Sequence, residues 1–278
     1  ADDGFFFDIR HVETAAGLTV MTNHDTPDSR CRVGLVGFGT VGQAVARILC
    51  EGRHPSLHLT HICNRDVDRK RVDWVDTAVV WTESFDTLLD GAVDVVVELI
   101  GGTSPAEDWM DQALMAGKAV VTANKQVMAL AGARLLARAQ AEARPLLFEA
   151  AVAGGIPVLR SLHEGISGDQ VRRIHGILNG TCNYILTRME QDRVSFETAL
   201  HDAQRLGFAE ADPTADVDGL DAQAKLALLI GVGLRRPVRV ADIPVHPITA
   251  VAAVDLVYAG RLGCVVRQVA RAEIVEDT

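Results

Sequence analysis

The sequence lacks closely spaced cysteines. Its 278 residues include five cysteines, and none of them forms a CxxC pair. They stand far apart, at Cys31, Cys50, Cys63, Cys182 and Cys264. Disulfide-stapled domains and zinc knuckles both need cysteines at short, paired spacings, so neither kind of site is expected. The spacing instead favours a reducing compartment.

The sequence also lacks a surplus of positive charge and any long apolar run. Lys and Arg total 27 against 37 Asp and Glu, which gives a formal net charge of −10 at pH 7. This balance argues against nucleic acid or a membrane surface as a partner and favours a small-molecule substrate. No stretch approaches the ~20 apolar residues of a membrane span. The opening ADDGFFFDIR is acidic where a signal peptide is positively charged, so we expect a cytoplasmic protein.

Two domains are expected after an N-terminal extension. Residues 1–30 show no sustained period, and they begin with Ala1 rather than Met, which indicates a processed start or a fragment. Beyond them, short β-branched runs alternate with alanine- and leucine-rich windows of helical period. This alternation predicts an α/β fold with a Rossmann-type, doubly wound parallel sheet. We assign residues 31–150 to a dinucleotide-binding domain and 151–278 to an α/β substrate domain, with a glycine-rich junction over 150–156.

The predicted elements follow this division. In the first domain, strands are expected over 32–38, 57–63, 93–101, 119–123 and 145–152. Helices are expected from the first strand to about residue 50, over 105–117 and over 130–143. In the second domain, strands are expected over 172–178 and 264–275, with helices over 181–191, 195–206, 217–233 and 248–262.

A GxGxxG motif lies between the first predicted strand and the helix after it. In VGFGTVG, Gly37 is expected to make a tight turn, Gly39 to let the backbone approach a pyrophosphate, and Gly42 to let helix and strand pack closely. Thr40 and Val41 complete the loop at the helix N-terminus, where free N–H groups attract an anion. The motif alone is weak, but its place in an alternating α/β pattern predicts a dinucleotide site.

The end of the second predicted strand indicates which dinucleotide binds. Enzymes that use NAD place an acidic residue here to accept from the ribose 2′-OH, whereas this chain has Arg65 followed by Asp66. A guanidinium suits a 2′-phosphate, and Arg69 and Lys70 add positive potential. NADP is therefore favoured over NAD, although the acidic Asp66 leaves NAD possible. The alternative is a solvated charge run at a strand end.

Lys125 in TANK directly follows a predicted strand. That position lies at the carboxyl edge of the sheet, where parallel sheets bind ligands. A lysine there can hold a cofactor ribose or polarise a substrate oxygen. It can equally be an ordinary surface lysine.

Asp221 and Lys225 lie four residues apart in LDAQAKLALL, a helical segment with little polar face. At a surface, such a pair contributes only ~0.3–0.5 kcal/mol. In a desolvated cleft, Lys225 can instead donate and accept a proton while Asp221 holds it in place. The spacing alone slightly favours a structural pair. A solvated acidic loop with a helix cap better explains the upstream carboxylates of Asp212, Asp216 and Asp218.

The motifs together resemble the homoserine dehydrogenase family. The resemblance rests on VGLVGFGTVG, VVVELIGG, GKAVVTANK, FEAAVAGGIPVLRSL, GILNGTCNYILTRM and RLGFAEADPTADVDGLDAQAKLA, which follow the family's order over residues 32–275. It implies the reversible reduction of L-aspartate 4-semialdehyde to L-homoserine by NAD(P)H, on the route to threonine and methionine.

The resemblance also implies roles for individual side chains. Lys225 matches the general acid/base, and Asp221 matches the residue that binds and orients the substrate. Glu210 matches the ligand of the substrate amino group. Lys125 matches the residue beside the nicotinamide and the reacting oxygen.

Further positions are implied at the backbone. Cofactor contacts are implied at Gly101, Gly102 and Gly207. A monovalent cation such as sodium is implied near the domain junction, held by oxygens of Glu149, Val152, Gly154 and Ile156. For the substrate carboxylate, we favour the backbone donors of the NGT turn, which are those of Asn179, Gly180 and Thr181.

One departure from the family pattern concerns the C-terminus. Family members continue with further strands and a closing helix where this chain ends at Thr278, so the substrate domain is expected to be truncated. The family also implies a homodimer formed through that domain. Two alternatives to an active enzyme follow: a catalytically impaired NADP-binding paralogue, or a subunit that depends on a partner chain. Residues 1–30 have no counterpart in the family core.

Overall fold

The computed structural model describes residues 30–275. The extension expected over residues 1–30 therefore lies outside the described residues, except for Arg30. The chain divides into two units; the first ends at Phe148 and the second begins at Glu149. Within the described range, no helix is long and apolar enough to cross a membrane.

Six parallel strands form the sheet of the first unit, in the order β3-β2-β1-β4-β5-β6. The strands are β1 (Cys31–Val36), β2 (Leu57–Cys63), β3 (Val80–Thr82), β4 (Val95–Glu98), β5 (Ala119–Thr122) and β6 (Leu146–Leu147). This order is that of a doubly wound sheet whose topological switch point lies between β1 and β4. The predicted Rossmann-type sheet is confirmed.

Five helices connect these strands. They are α1 (Thr40–Cys50), α2 (Val67–Lys70), α3 (Phe85–Asp90), α4 (Ala106–Met115) and α5 (Lys125–Ala141). The core beneath the first strand contains the fully buried side chains of Leu35, Phe38 and Ile62. Burial of each such side chain stabilises the fold by ~1.5–3 kcal/mol. Because Phe38 lies in the loop after β1, this packing also fixes that loop.

The register of the sheet brings four strand ends to one level. Val36, the last residue of β1, pairs with Cys63 of β2 and with Glu98 of β4. Glu98 in turn pairs with Thr122, the last residue of β5. The loops that follow these four strands therefore begin side by side, at the carboxyl edge where doubly wound sheets bind their ligands.

In its described residues, the second unit combines a small sheet with six α-helices. Strands β7 (Arg173–Gly176) and β8 (Ala270–Glu273) pair antiparallel. The helices are α6 (Val158–Arg160), α7 (Gly180–Asp192), α8 (Phe196–Arg205), α9 (Thr214–Val217), α10 (Leu220–Leu229) and α11 (Ala253–Arg261). One core cluster centres on α7, through Ile185, Leu186 and Met189. The unit thus has the α/β composition expected from its sequence.

The run predicted as a strand over 145–152 is a strand only at Leu146–Leu147, so the prediction is wrong for its second half. Glu149 opens a 3₁₀ turn instead. Its carboxylate accepts hydrogen bonds from the backbone N–H groups of Leu159 and Arg160, at 3.0 and 2.9 Å. Because this carboxylate satisfies free donors at the start of a helix, the chain leaves the sheet here.

The predicted helix over 217–233 is divided in two. Gly219 has a φ of +85° and separates α9 from α10. This left-handed conformation favours glycine, which has no Cβ to clash with the backbone. Helix α10 then ends at Leu229 and continues as a π-helical turn.

Several other predicted elements differ in their bounds. The helix predicted over 130–143 begins earlier, at Lys125, because the side chain of Asn124 caps it by accepting from Val127 N at 3.1 Å. The strand predicted over 264–275 is limited to β8, where its residues pair with β7.

An ion pair at the amino edge of the sheet leads to a pH prediction. Arg32 donates to the Asp94 carboxylate from its backbone N at 2.8 Å and from Nε and Nη2 at 2.9 and 2.6 Å. The side-chain hydrogen bonds from Arg32 are the main cause that lowers the pKa of Asp94 to about 2. A lowered pKa stabilises the fold above the ordinary carboxyl pKa of 3.8, and this stabilisation is lost as the pH falls toward 2.

We therefore expect Asp94→Asn to lower the free energy of unfolding at pH 7 by ~1 kcal/mol or less, since exposed pairs contribute little. At pH 2, where about half of the Asp94 carboxyl is protonated in the folded parent, the difference between variant and parent should be much smaller. Urea unfolding at pH 7, 4 and 2 measures this. An identical pH dependence in both proteins would contradict the prediction.

Candidate functional site

The glycine loop of the first unit has the geometry of a phosphate-binding turn. Gly37 has a φ of +99°, and a Cβ there would lie 2.8 Å from the Leu99 carbonyl oxygen. A Cβ on Gly42 would lie 2.2 Å from the Gly37 carbonyl oxygen, so α1 packs directly on the turn. A Cβ on Gly39 would meet nothing within 4 Å. The loop is therefore closed against the protein at Gly37 and Gly42 and open to a ligand at Gly39.

Helix α1 begins at this open position. Gly39 is its N-cap residue, and no side chain caps the helix there. Thr40 and Val41, in the first turn, are exposed. Backbone N–H groups at such a helix start bind anions, and the helix dipole adds to the attraction. The donors fit the pyrophosphate of a dinucleotide.

The segment after β2 is basic and exposed. Asn64 ties it to the glycine loop, because its Oδ1 accepts from Phe38 N at 3.0 Å. Arg65 and Asp66 follow on the surface, and Asp66 adopts a left-handed conformation with a φ of +55°. Helix α2 then presents Arg69 and Lys70 to solvent. Side chains able to neutralise a 2′-phosphate are thus present at this strand end.

The loops after β4 and β5 contain the other cofactor residues expected in this unit. Gly101 and Gly102 are exposed and have φ values of +73° and +69°. A Cβ on either glycine would meet nothing within 4 Å. Lys125 is half-buried as the first residue of α5. All three residues lie at the carboxyl edge of the sheet.

In the second unit, Asp221 and Lys225 belong to a buried hydrogen-bond network. Only 6% of the Asp221 side chain and 21% of the Lys225 side chain are exposed. Lys225 Nζ donates to Asp221 Oδ2 at 2.7 Å and to the Leu178 carbonyl oxygen at 2.9 Å. Asn179 Nδ2 donates to Asp221 Oδ2 at 2.9 Å and to Asp216 Oδ1 at 2.6 Å.

The apolar flanks of α10 explain this burial. Its leucines at 226, 228 and 229 are buried, so the helix has little surface on which a charged pair could meet water. Asn179 approaches from α7, where its Oδ1 also caps the helix by accepting from Cys182 N at 2.8 Å. A buried ion pair needs this many partners, since removing charges from water is costly.

The thiol of Cys182 reports the electrostatics of this network. Burial, followed by the nearby carboxylates of Asp216 and Asp221, raises its pKa to about 12. The thiol donates to the Asp216 carbonyl oxygen at 3.0 Å. The surroundings of this thiol are therefore desolvated and negative.

Sequence reasoning missed two members of the network. It assigned Asp216 to a solvated loop, whereas this carboxylate is half-buried and bonded to Asn179. The interpretation as a solvated loop with a helix cap does apply to Asp212. Its Oδ1 accepts from Thr214 N at 3.1 Å and from Thr214 Oγ1 at 2.6 Å, at the start of α9. Asn179 was considered only for its backbone donors. An asparagine directly before a helical period is a cap signal that could have pointed to its side chain.

The predicted site residues Glu210 and Gly207 lie outside this network. Glu210 is exposed, and its backbone carbonyl accepts from Gln204 Nε2 at 3.1 Å. Gly207 follows α8 with a φ of +78°. The nearby Thr181 Oγ1 donates to the Phe208 carbonyl oxygen at 2.7 Å, which attaches this segment to the NGT turn.

The segment predicted to hold a cation begins the second unit. The Glu149 carboxylate caps α6, as described above, and the Ile156 carbonyl accepts from Val158 N at 2.8 Å. Gly154 has a φ of +57°, and Val152 is buried. Among residues 30–275, no three His, Cys, Asp or Glu side chains are grouped to hold a metal. Backbone carbonyl oxygens would therefore have to supply most of the ligands, and oxygen ligands suit a hard cation.

Comparisons with known proteins cover both units. A sequence model described as "Homoserine dehydrogenase, NAD binding domain" matches residues 37–149, and one described as "Homoserine dehydrogenase" matches residues 157–277. A homoserine dehydrogenase of Bacillus subtilis is 42% identical over 239 residues, which are 84% of this chain and 55% of that protein. The chain thus spans little more than half the length of this relative.

Solved structures give the same family. The crystal structure of a homoserine dehydrogenase from Thiobacillus denitrificans matches with a TM-score of 0.82 and 36% identity, over 89% of this chain and 59% of that one. A hyperthermophilic archaeal homoserine dehydrogenase in complex with NADPH matches with a TM-score of 0.73 and 26% identity, over 88% of this chain and 79% of that one.

Proposed function

Because the chain belongs to the homoserine dehydrogenase family, we propose that its protein interconverts L-homoserine and L-aspartate 4-semialdehyde with a nicotinamide cofactor. The observation that carries this proposal is the buried pair of Lys225 and Asp221, an ammonium held by a carboxylate on an otherwise apolar helix. Further hydrogen bonds fix both members of the pair: Lys225 Nζ donates to the Leu178 carbonyl oxygen, and Asp221 Oδ2 accepts from Asn179 Nδ2, so the ammonium is held at one position.

The first unit would hold the cofactor. The backbone N–H groups of the Gly39 loop and of Thr40 would bind the pyrophosphate, and Arg65 a 2′-phosphate. When bound, the nicotinamide supplies or accepts the hydride at its C4 atom. Lys125, at the other half of the sheet edge, would contact the nicotinamide ribose or the reacting oxygen.

The second unit would supply the group that donates and accepts the proton. As hydride reaches the aldehyde carbon, negative charge develops on the substrate oxygen, and Lys225 Nζ donates a proton to it. Asp221 and the Leu178 carbonyl fix the position of Nζ, so the proton need not be brought by solvent. In the reverse direction, the neutral amine takes the hydroxyl proton of homoserine. A positioned acid of this kind contributes about 10²- to 10⁴-fold in rate.

The two charged ends of the amino acid need partners of opposite sign. Glu210 and Asp221 would take the ammonium group. The backbone donors of Gly180 and Thr181, in the first turn of α7, would take the carboxylate. A monovalent cation at the carbonyls of the 152–156 turn is a further proposal; it rests on the oxygen donors there.

The cofactor preference can be tested at Arg65. We expect Arg65→Ala to weaken NADPH binding by about tenfold or more and NADH binding by less than about twofold, since only NADPH has the 2′-phosphate. Titration of protein fluorescence with each cofactor measures the two dissociation constants. Arg53→Ala is a matched control, because Arg53 is an exposed arginine of the same unit that pairs with Glu51. Equal losses for both cofactors in Arg65→Ala would remove the preference.

The reaction itself is tested by NADPH consumption. We expect the chain to oxidise NADPH when L-aspartate 4-semialdehyde is added and to reduce NADP when L-homoserine is added. NADPH binding without turnover would instead support the catalytically impaired alternative. No described residue favours that alternative, since Lys125, Glu210, Asp221 and Lys225 are all present. The homodimer and the cytoplasmic location stay predictions.

A further inference from the structure

Glu98 is a buried carboxylate to which the proposed reaction gives no role. It is the last residue of β4, and only 1% of it is exposed. Its Oε1 accepts from Ile100 N at 2.8 Å, and its Oε2 accepts from Thr122 Oγ1 at 2.6 Å. Both of these donors are uncharged. Burying a carboxylate costs free energy, and an apolar residue would pack here without that cost. The carboxylate therefore needs a reason beyond packing.

The hydrogen bonds continue from Glu98 into the next two loops. Thr122 Oγ1 accepts from Asn124 N at 2.9 Å. Asn124 Nδ2 donates to the Gly102 carbonyl oxygen at 2.7 Å, and Asn124 Oδ1 caps α5 by accepting from Val127 N at 3.1 Å. One connected chain of bonds therefore joins the end of β4, the end of β5, the Gly101–Gly102 turn and the start of α5.

The sheet topology indicates which part of a cofactor would meet these loops. A doubly wound sheet binds a dinucleotide across its switch point, with one nucleotide over each half. The GxGxxG loop follows β1 and Arg65 follows β2, so the adenosine half belongs to β1-β2-β3. The nicotinamide half then belongs to β4-β5-β6, where the chain of bonds lies.

We infer that Glu98, Thr122 and Asn124 are positioning residues of the nicotinamide half-site. They hold the Gly101–Gly102 turn, whose backbone is open to a ligand, at a fixed distance from Lys125 at the start of α5. The inference rests on the proposed function, because it assumes a nicotinamide cofactor. Its test measures binding rather than turnover, so the two can fail separately.

The chemistry of each residue makes the inference specific. A carboxylate accepts at both oxygens, whereas a glutamine in its place accepts at only one. In Glu98→Gln, therefore, either Ile100 N or the Thr122 hydroxyl loses its acceptor. In Asn124→Asp, the helix cap survives, because aspartate caps as well as asparagine. The bond to the Gly102 carbonyl does not survive, because a carboxylate oxygen would face the carbonyl oxygen.

The experiment compares two ligands on the same variants. NADPH reaches both halves of the sheet edge, whereas adenosine 2′,5′-bisphosphate reaches only the half that follows β1 and β2. We expect Asn124→Asp and Glu98→Gln to weaken NADPH by about tenfold or more, as for an unsatisfied buried polar group. Binding of adenosine 2′,5′-bisphosphate should change less than twofold. Titration calorimetry on the whole chain gives both constants.

Three further variants separate positioning from loss of stability. Ser195→Ala removes the cap of α8, where Ser195 Oγ accepts from Thr198 N at 3.3 Å. It should change the binding of neither ligand. Thr122→Ser keeps the hydroxyl and should bind NADPH like the parent, whereas Thr122→Val removes it and should behave like Glu98→Gln. This pair decides the question if Glu98→Gln fails to fold.

The outcomes are distinct. A selective loss of affinity for NADPH supports the inference. An equal loss of affinity for both ligands, or no loss for either, overturns it and leaves Glu98 a structural residue. A parent chain that binds NADPH but does not reduce the semialdehyde contradicts the proposed function and leaves the binding comparison valid. A parent chain that binds no NADPH overturns both.

Discussion

Lys225→Ala should lower the rate of semialdehyde reduction by about 10²- to 10⁴-fold and leave NADPH affinity within about twofold of the parent. The reason is that Lys225 Nζ is the proposed proton donor, and it lies in the second unit rather than among the cofactor groups of the first. The hydrogen bond from Asn179 to Asp221 remains in the variant, but the buried carboxylate loses its cationic partner, so we also expect the free energy of unfolding to fall by ~3–5 kcal/mol. Steady-state kinetics and a fluorescence titration with NADPH measure the two effects.

A control on the same helix distinguishes chemistry from local damage. Gln223 is half-buried on α10 and donates to the Ile243 carbonyl oxygen at 2.6 Å, whereas Lys225 Nζ donates to Asp221 and Leu178. Gln223→Ala should therefore lower thermal stability and keep most of the turnover. Lys225→Arg keeps the positive charge, but its guanidinium does not release a proton, so it should be nearly as slow as Lys225→Ala. Unchanged turnover in Lys225→Ala would rule out the role assigned to this residue.

Gly42→Ala should disrupt the first unit, because its Cβ would lie 2.2 Å from the Gly37 carbonyl oxygen. The backbone of residue 42 fixes the position of the Cβ, and the oxygen belongs to the backbone of Gly37, so no side-chain rotation can relieve the contact. We expect the free energy of unfolding to fall by ~1–3 kcal/mol or more, as for other overpacked sites, and NADPH binding to be lost with the shape of the turn. Urea unfolding and a cofactor titration measure both effects.

Gly39→Ala is the matched variant of the same loop. A Cβ there meets no protein atom within 4 Å, and the backbone is extended, with a φ of −80°. The added methyl group should leave stability nearly unchanged and weaken NADPH by about tenfold or more, because it would occupy the space where phosphate approaches the backbone. If Gly42→Ala is as stable as the parent, or if Gly39→Ala binds NADPH normally, the loop does not work as described.

The first unit was largely predictable because its signals are local. Alternating short apolar runs and helical windows specify βαβ units, and Gly37, Gly39 and Gly42 act within one turn. The observed strand order then follows from the fold class. The predicted strand over 145–152 is wrong in part because a short apolar run is equally compatible with a strand and a turn. What decides between them is Glu149, whose partners lie about ten residues further on.

The polar networks were not predictable, because their members are far apart in sequence. The i,i+4 spacing revealed Asp221 and Lys225, but Asn179 reaches Asp221 across 42 residues and Asp216 across 37. Glu98 and Thr122 are 24 residues apart and meet only through the register of β4 and β5. A single sequence records neither pairing, so a buried acidic residue such as Glu98 reads as one polar position in an apolar strand.

Deuterium transfer tests the central claim most directly. NADPH labelled with deuterium at both positions of nicotinamide C4 is mixed with the chain and L-aspartate 4-semialdehyde, and the product is analysed by mass spectrometry and NMR. The account predicts homoserine with one deuterium at its C4 carbon, formed about 10²- to 10⁴-fold more slowly by Lys225→Ala than by the parent. Homoserine without deuterium, or labelled homoserine formed equally well by both proteins, would contradict it.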